Sequence, residues 1–155
     1  MNYHNIKHDD MLNGDGLRVV LFVSGCSHYC NGCQNPQTWD NNSGIPFDED
    51  ALSEIFQELN KDYISGLTLS GGDPLNDHNL TDILNLVKMV KRNFPDKTIW
   101  IYTGYTFEEI QNDNDKMEII NLCDVLVDGP FIKELADVNY PWCGSTNQRV
   151  ISLKK

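Results

Sequence analysis

Three cysteines in one short segment are the residues of this sequence best suited to chemistry. Cys26, Cys30 and Cys33 have the spacing C-x3-C-x2-C, and thiolates this close along the chain can converge on one inorganic centre. Tetrahedral zinc and a [4Fe–4S] cluster each take four ligands, so three thiolates complete neither set. If the centre is a cluster, one iron lacks a protein ligand and can bind a small molecule.

A zinc knuckle is the alternative for this segment, with His28, Cys123 or Cys143 as the fourth ligand. His28 lies between two of the candidate ligands, where it is poorly placed to bind the same ion. Cys123 precedes an apolar run, which favours a buried small hydrophobic residue. The spacing therefore indicates a metal centre, and the residues alone leave both metals open.

A glycine pair followed by an acid is the second candidate site. Gly71, Gly72 and Asp73 stand before Pro74, at the end of an apolar run. Two glycines let the backbone approach a ligand closely, and a carboxylate can accept hydrogen bonds from an ammonium group. The alternative is a tight turn before a helix. The position of the pair, one strand–helix unit after the cysteines, favours a ligand site.

Other segments carry polar, glycine and aromatic residues near predicted strand ends. They are residues 13–16, 102–105, 128–131 and 142–148. Turn formation alone would explain each of them, and contact with a ligand or a docked partner is the functional alternative for the last three.

Short apolar runs alternate with amphipathic helical segments along the chain. The runs predict strands at residues 17–23, 66–70, 98–102 and 125–127, and a last strand at 149–153. The helical periodicity predicts a helix over residues 48–60 with Asp48 as its N-cap, and another that stops before Pro95. Thr106 and Glu109 predict a capping box that opens a third helix, with a break near residues 112–115.

Regular alternation of strands and helices is typical of an α/β fold with a parallel sheet and right-handed crossovers. The glycine-rich and polar segments follow the first four strands, so they gather at the carboxyl edge, where such sheets build their sites. Four or five strand–helix units are too few to close an eight-stranded barrel. We therefore predict an open partial (β/α) barrel, with a mostly parallel sheet of four to five or more strands, in one domain spanning residues 1–155.

Composition narrows the class of protein. The 155 residues, 40% of them hydrophobic, are enough for one core. No run has the length of a membrane span and the N-terminus lacks a signal-peptide pattern, so we expect a cytoplasmic protein. In that reducing setting, five cysteines indicate metal ligands and free thiols more than disulfides. A net charge of −11 argues against binding to a nucleic-acid backbone.

The order of these motifs resembles the radical S-adenosylmethionine (SAM) enzymes, which carry C-x3-C-x2-C after a first strand and Ser-Gly-Gly-Asp-Pro after a second. Within that superfamily, the chain resembles the glycyl radical enzyme activases that serve anaerobic ribonucleoside-triphosphate reductase. The segments that carry this closer resemblance are residues 13–18, 22–26, 34–39, 69–75, 102–105, 127–129 and 144–148. Radical SAM enzymes usually place an aromatic residue before the third cysteine, where this chain has Gly32.

The resemblance implies a cofactor site. Cys26, Cys30 and Cys33 would bind three irons of a [4Fe–4S] cluster, and the fourth iron would bind SAM. The implied SAM-binding residues are Gly32, Cys33, Gln34, Gly71, Gly72 and Asp73. The last three of these would hold the methionine amino group, and the backbone of Gly32 would be left to contact the adenine.

The resemblance also implies a reaction and its partners. SAM would be cleaved reductively, and the 5′-deoxyadenosyl radical would form a glycyl radical on the reductase. An external donor such as flavodoxin would supply the electron, and no nucleic acid or membrane would take part. We expect Tyr105, Phe131 or residues 142–148 near the reductase. The alternatives are activation of another glycyl radical enzyme, a small-molecule radical SAM reaction, or a non-catalytic metal-binding module.

Overall fold

One sheet organises the structure, a computed structural model that describes residues 1–33 and 36–153. Within that part of the chain the strands are β1 (Asn2–Asp10), β2 (Arg18–Val23), β3 (Ile45–Pro46), β4 (Gly66–Gly71), β5 (Thr98–Tyr102), β6 (Val125–Asp128) and β7 (Arg149–Ser152). The five predicted strands are confirmed as β2, β4, β5, β6 and β7, each within one residue at either end. β1 and β3 were not predicted.

The sheet is open and mixed, with the order β3-β1-β2-β4-β5-β6-β7. The four central strands, β2, β4, β5 and β6, pair in parallel, whereas β1, β3 and β7 pair antiparallel with their neighbours. The prediction of a mostly parallel sheet is therefore wrong. Ile6 is the buried hydrophobic residue of the otherwise largely polar β1, so the strand has no clear apolar run. β7 follows a connection without an α-helix, and such a strand returns antiparallel.

The helices form as their end signals predict. In the described residues they are α1 (Glu49–Leu59), α2 (Leu80–Asn93), α3 (Phe107–Gln111) and α4 (Asn114–Ile120). The Asp48 carboxylate accepts a hydrogen bond from the Ala51 N–H at the start of α1, and Thr106 with Glu109 forms the predicted capping box of α3. None of the helices in this part of the chain is long and apolar enough to span a membrane.

The two faces of the sheet have different coverings, because successive side chains of a strand point to opposite faces. In β2, Val19, Leu21 and Val23 belong to the main apolar core, to which all four helices contribute. Arg18 and Phe22 lie on the other side, which we call the inner face. Segments without α-helices, residues 11–16 and 129–148, cover this inner face.

A buried arginine joins the central strands on the inner face. All five N–H donors of Arg18 have acceptors, which are the hydroxyls of Thr68 and Thr98 and the carbonyls of Asp15, Leu67 and Thr98. Burial lowers the pKa of Arg18 to about 10. Its guanidinium lies 5.6 Å from the centre of the Trp100 ring, which packs edge-on against Trp142 at 5.7 Å. Arg18 thereby supports the segment that closes over the sheet.

Candidate active site

A cavity of about 640 Å3 opens on the inner face at the carboxyl ends of the parallel strands. Residues from every predicted signature line it, namely Asn13, Cys26, Cys30, Cys33, Gly71, Gly72, Tyr102, Thr103, Gly104, Gly129, Phe131, Trp142, Cys143, Gly144 and Gln148. Its volume lies in the range of small-molecule sites. The fold therefore brings together at one cavity the motifs that the sequence placed after four different strands.

The cysteine segment begins at the end of β2 and is held by main-chain hydrogen bonds. The Gly25 N–H donates to the Thr38 carbonyl at 2.6 Å, and the Cys26 N–H donates to the Trp39 carbonyl at 3.1 Å. Within the segment, the Cys33 N–H donates to the Cys30 carbonyl at 3.1 Å. These contacts define a folded loop, residues 25–33, which we call the cysteine loop.

Cys26, Cys30 and Cys33 line one cavity without meeting at a single point. Among the described residues, no three His, Cys, Asp or Glu side chains meet closely enough to hold one metal ion. Zinc requires its donors at about 2.0–2.3 Å from one point. A cluster binds each thiolate at a different iron, so its ligands need only surround a common space. The three cysteines line one cavity, as such a cluster requires.

Burial raises the pKa of the Cys26 thiol to about 11, although N–H groups of His28 and Tyr29 hydrogen-bond to it and act in the opposite direction. The remaining cysteines occupy different settings. Cys123 lies in the main core, as predicted for a small hydrophobic residue, and burial raises its pKa to about 12. Cys143 lines the cavity, and burial raises its pKa to about 11.

The glycine pair is required where two loops meet. A Cβ at Gly72 would lie 2.6 Å from the Gly25 carbonyl oxygen and 2.9 Å from that of Thr38. The backbone of Asp73 donates to the same Gly25 oxygen at 2.7 Å. A side chain at Gly72 would therefore push the glycine turn away from the cysteine loop. Gly71 and Gly72 also line the cavity, so the pair leaves backbone accessible there.

The Asp73 carboxylate lies beneath the cavity with 1% of the residue exposed. It accepts hydrogen bonds from the Leu75 N–H, the Thr103 hydroxyl and the Gly104 N–H, at 2.9 to 3.0 Å. Its Oδ2 atom is also 2.6 Å from Nε2 of His28. These contacts fix the ends of β4 and β5 relative to each other.

His28 connects the cysteine loop to this network. The hydrogen bond that the His28 ring makes to the Asp73 carboxylate raises the pKa of His28, while burial opposes the rise. The ring packs edge-on against Tyr105, with centroids 4.5 Å apart. A Cβ at Gly104 would lie 2.5 Å from His28 Cδ2, so the imidazole rests directly on the Gly104 backbone. His28 is thus engaged with protein groups in this structure.

Tyr102 lines the cavity and carries a buried hydroxyl. Its side chain comes from the inner face of β5 and lines the cavity. The hydroxyl is buried and has no hydrogen-bond partner among the described residues, and burial raises the pKa of Tyr102. A buried donor of this kind is satisfied when a polar ligand or a water reaches it.

The remaining predicted residues fall into three groups. Gly32 has a left-handed backbone with φ of 75° and packs against the Lys133 side chain. Gln34 lies outside the described residues. Phe131 and most of the segment from Trp142 to Gln148 line the cavity, whereas Tyr105 packs behind it on His28.

Two residues that hold the loops of the site together were not predicted in that role. His28 was considered only as a metal ligand, and its contact with Asp73 depends on packing between distant loops. Asn79 precedes α2 but makes no cap hydrogen bond there. Its amide instead donates to the carbonyls of Ser24 and Asp73, at 2.9 and 3.1 Å. An asparagine before a helix gives no sign of that alternative use.

Comparison with known proteins places the chain in a class of iron–sulfur proteins. A family model described as a 4Fe-4S single cluster domain matches residues 12–151. This range contains the whole cysteine loop and every strand that borders the cavity except β1.

Relatives define the family more narrowly. The anaerobic ribonucleoside-triphosphate reductase-activating protein of Pasteurella multocida (strain Pm70) is 46% identical over 150 residues, covering 96% of this chain and 95% of the relative. The proteins of the same name from Escherichia coli (strain K12) and Enterobacteria phage T4 are 45% and 47% identical, over 99% and 98% of this chain and 100% and 94% of their own lengths. The chain belongs to the family of anaerobic ribonucleoside-triphosphate reductase-activating proteins.

Proposed function

We propose that this chain is a radical SAM activase that forms a glycyl radical on anaerobic ribonucleoside-triphosphate reductase. The observation that carries the proposal is the joint lining of one cavity by Cys26, Cys30, Cys33 and the Gly71–Gly72 turn, in a chain whose relatives are named as activators of that reductase.

The three cysteines hold the cluster in this proposal. Cys26, Cys30 and Cys33 are the thiolate ligands, and the fourth coordination position is left to the methionine end of SAM. With the cluster bound, one electron from it cleaves the C–S bond of SAM to give methionine and a 5′-deoxyadenosyl radical, which takes a hydrogen atom from a glycine Cα of the reductase. The chain itself binds and orients both substrates.

SAM occupies the cavity above the glycine turn in this proposal. Backbone groups of Gly71 and Gly72 are accessible there, and we assign them to the methionine amino group. Asp73 serves the same group, because its carboxylate holds Gly104 and its backbone N–H holds the glycine turn against Gly25. The Tyr102 hydroxyl has no partner in the part of the chain that the structure describes, which supports a ligand with polar groups, such as SAM.

The loop after the second cysteine completes the SAM site in this proposal. Gly32, Cys33 and Gln34 belong to the SAM-binding residues. Gly32 lacks a side chain that could stack on adenine, so its contact with adenine is made by main-chain groups.

The wider setting follows from the same chemistry. We propose that residues 1–155 act as one radical SAM domain, with the open sheet corresponding to part of a (β/α) barrel. A one-electron donor such as flavodoxin supplies the electron. The thiolate ligands require a reducing compartment, which we take to be the cytoplasm.

Anaerobic reconstitution tests this proposal. The protein is loaded with iron and sulfide, reduced, and given SAM with and without the reductase. We expect close to four irons per chain and conversion of SAM to methionine and 5′-deoxyadenosine. A colourless protein with stoichiometric zinc would support a non-catalytic metal module instead. Turnover of a free small molecule without the reductase would support a different radical SAM reaction.

A further inference from the structure

Three of the residues that line the cavity are exposed apolar side chains. Val138, Leu12 and Met11 are 100%, 76% and 65% exposed, and they are the three most exposed large hydrophobic residues of the described chain. All three line the cavity. Single exposed apolar residues are ordinary on protein surfaces, but a group at the entrance of a site indicates a contact surface. We call Met11, Leu12 and Val138 the apolar rim.

An aspartate-based turn presents the first part of the rim. The buried Asp10 carboxylate accepts hydrogen bonds from the N–H groups of Leu12 and Asn13, at 2.6 and 3.0 Å. The Asn13 carbonyl in turn accepts from the Thr68 hydroxyl of β4 at 2.7 Å. Met11 and Leu12 therefore lie on a turn that is fixed to the sheet, and this turn keeps both side chains exposed to solvent.

A second turn of the same kind presents Val138 from the other covering segment. The Asp137 side chain accepts from the Asn139 N–H at 2.9 Å, and its carbonyl accepts from the Tyr140 N–H at 3.2 Å. Trp142 follows with φ of 65°, a conformation rare for a bulky residue, and packs on Trp100 of the inner face. The second turn is therefore anchored as well.

Charge indicates the kind of group that enters between these turns. Among the described residues that line the cavity, Lys7 is the one with a permanent charge. The chain as a whole has a net charge of −11 and 23% charged residues. A nucleotide or another polyanion would meet little counter-charge here. An uncharged peptide segment with apolar side chains beside a glycine matches an opening of this composition.

We propose that the apolar rim is the docking surface for the glycine-bearing segment of the reductase. This inference rests on the proposed function and adds to it the residues that hold the target. A carbon radical reacts with the C–H bond held beside it, so the target glycine must enter the cavity. Its flanking residues then lie between the two turns, where Leu12 and Val138 lose water against them.

Binding of the whole reductase to the reconstituted activase tests the rim. The variant carries Leu12→Ser and Val138→Ser, and Tyr63→Ser is the matched control. Tyr63 is also an exposed large hydrophobic residue, at 54%, but it precedes β4 at the opposite edge of the sheet. We expect the double variant to bind the reductase at least about tenfold more weakly, and the control to bind like the wild type. Iron content and thermal unfolding verify that both variants are folded.

A photo-crosslink keeps the test independent of variant stability. Val138 is replaced by p-benzoylphenylalanine. Because Val138 is fully exposed, this substitution disturbs no buried packing and is expected to leave the protein folded. A crosslink to the peptide that contains the reductase's target glycine supports the rim. A crosslink elsewhere on the reductase, a crosslink between two activase chains, or wild-type affinity of the double variant overturns it.

These experiments distinguish a failure of the apolar rim as docking surface from a failure of the proposed activase function. If the wild type forms the glycyl radical while the double variant binds normally, the rim assignment is wrong and the proposed function stands. If the wild type neither binds the reductase nor forms the radical, both are wrong.

Discussion

Nε2 of His28 lies 2.6 Å from Oδ2 of Asp73, and this contact joins the cysteine loop to the ends of β4 and β5. The two residues come from different motifs, 45 positions apart. Because Asp73 also holds Thr103 and Gly104, the contact sets the position of the candidate cluster ligands relative to the strand ends that form the cavity. The candidate cluster ligands and the glycine turn are therefore held by one hydrogen-bond network.

Packing between His28 and Gly104 gives the first prediction. Gly104→Ala places a methyl group against the imidazole and is expected to lower the free energy of unfolding by about 1–3 kcal/mol. In a His28→Ala background the ring is absent, so the same substitution is expected to cost much less. A double-mutant cycle by denaturant unfolding measures the difference. Equal costs in both backgrounds would show that the ring is not what Gly104 accommodates.

The cysteine ligands give the second prediction. Replacing Cys26, Cys30 or Cys33 by Ala is expected to abolish SAM cleavage and to lower iron content after reconstitution. Cys143→Ala is the matched control, because Cys143 lines the same cavity and burial raises its pKa to about 11, as it does that of Cys26. It is expected to keep the iron, as is Cys123→Ala. Loss of iron from the Cys143 variant would assign that thiol to the centre.

The buried Tyr102 hydroxyl, which has no partner among the described residues, gives the third prediction. Tyr102→Phe is expected to keep the iron and to weaken SAM binding by the value of one hydrogen bond, about 0.5–1.5 kcal/mol, or roughly two- to twelvefold in Kd. Anaerobic titration calorimetry measures the affinity. Tyr63→Phe, at an exposed tyrosine away from the cavity, is the control. Unchanged affinity in Tyr102→Phe would remove this hydroxyl from the SAM site.

The fold and the site were predictable to different degrees. Strands β2, β4, β5 and β6 were readable because their apolar runs are bounded by turn residues. β1 was missed because its apolar signal reduces to Ile6, and the sheet was taken as mostly parallel for the same reason. Spacing identified Cys26, Cys30 and Cys33 as a group because they are close in sequence.

Contacts between distant loops could not be predicted in the same way. The sequence suggested that Asp73 faces a ligand, but the structure shows its carboxylate bonded to Thr103, Gly104 and His28. Nothing local to Asp73 reveals those partners, because Thr103 and Gly104 follow β5 and His28 follows β2, the two strands that pair with β4. The apolar rim could not be predicted from the sequence either, because the exposure of Met11, Leu12 and Val138 depends on the folded surface.

Anchoring of the segment that covers the inner face gives the fourth prediction. Trp100→Leu removes the edge-on contact with Trp142, worth about 0.5–1.5 kcal/mol beyond burial. Hydrogen exchange is expected to become roughly two- to tenfold faster at the amides of Asp137 and Gly144. Trp39→Leu is the control, because Trp39 packs on Tyr29 and should loosen the cysteine loop instead. Identical exchange patterns in the two variants would contradict local anchoring.

Electron paramagnetic resonance of the activation mixture is the most direct test of the central claim. Reduced, reconstituted activase is mixed with SAM and the anaerobic ribonucleoside-triphosphate reductase, and the spectrum is recorded under strict anaerobiosis. The activase assignment predicts a doublet from a protein-based radical on the reductase, which disappears when the reductase's target glycine is changed to alanine. A doublet that persists in the glycine variant, or its absence when SAM is being cleaved in the presence of the native reductase, would contradict that assignment.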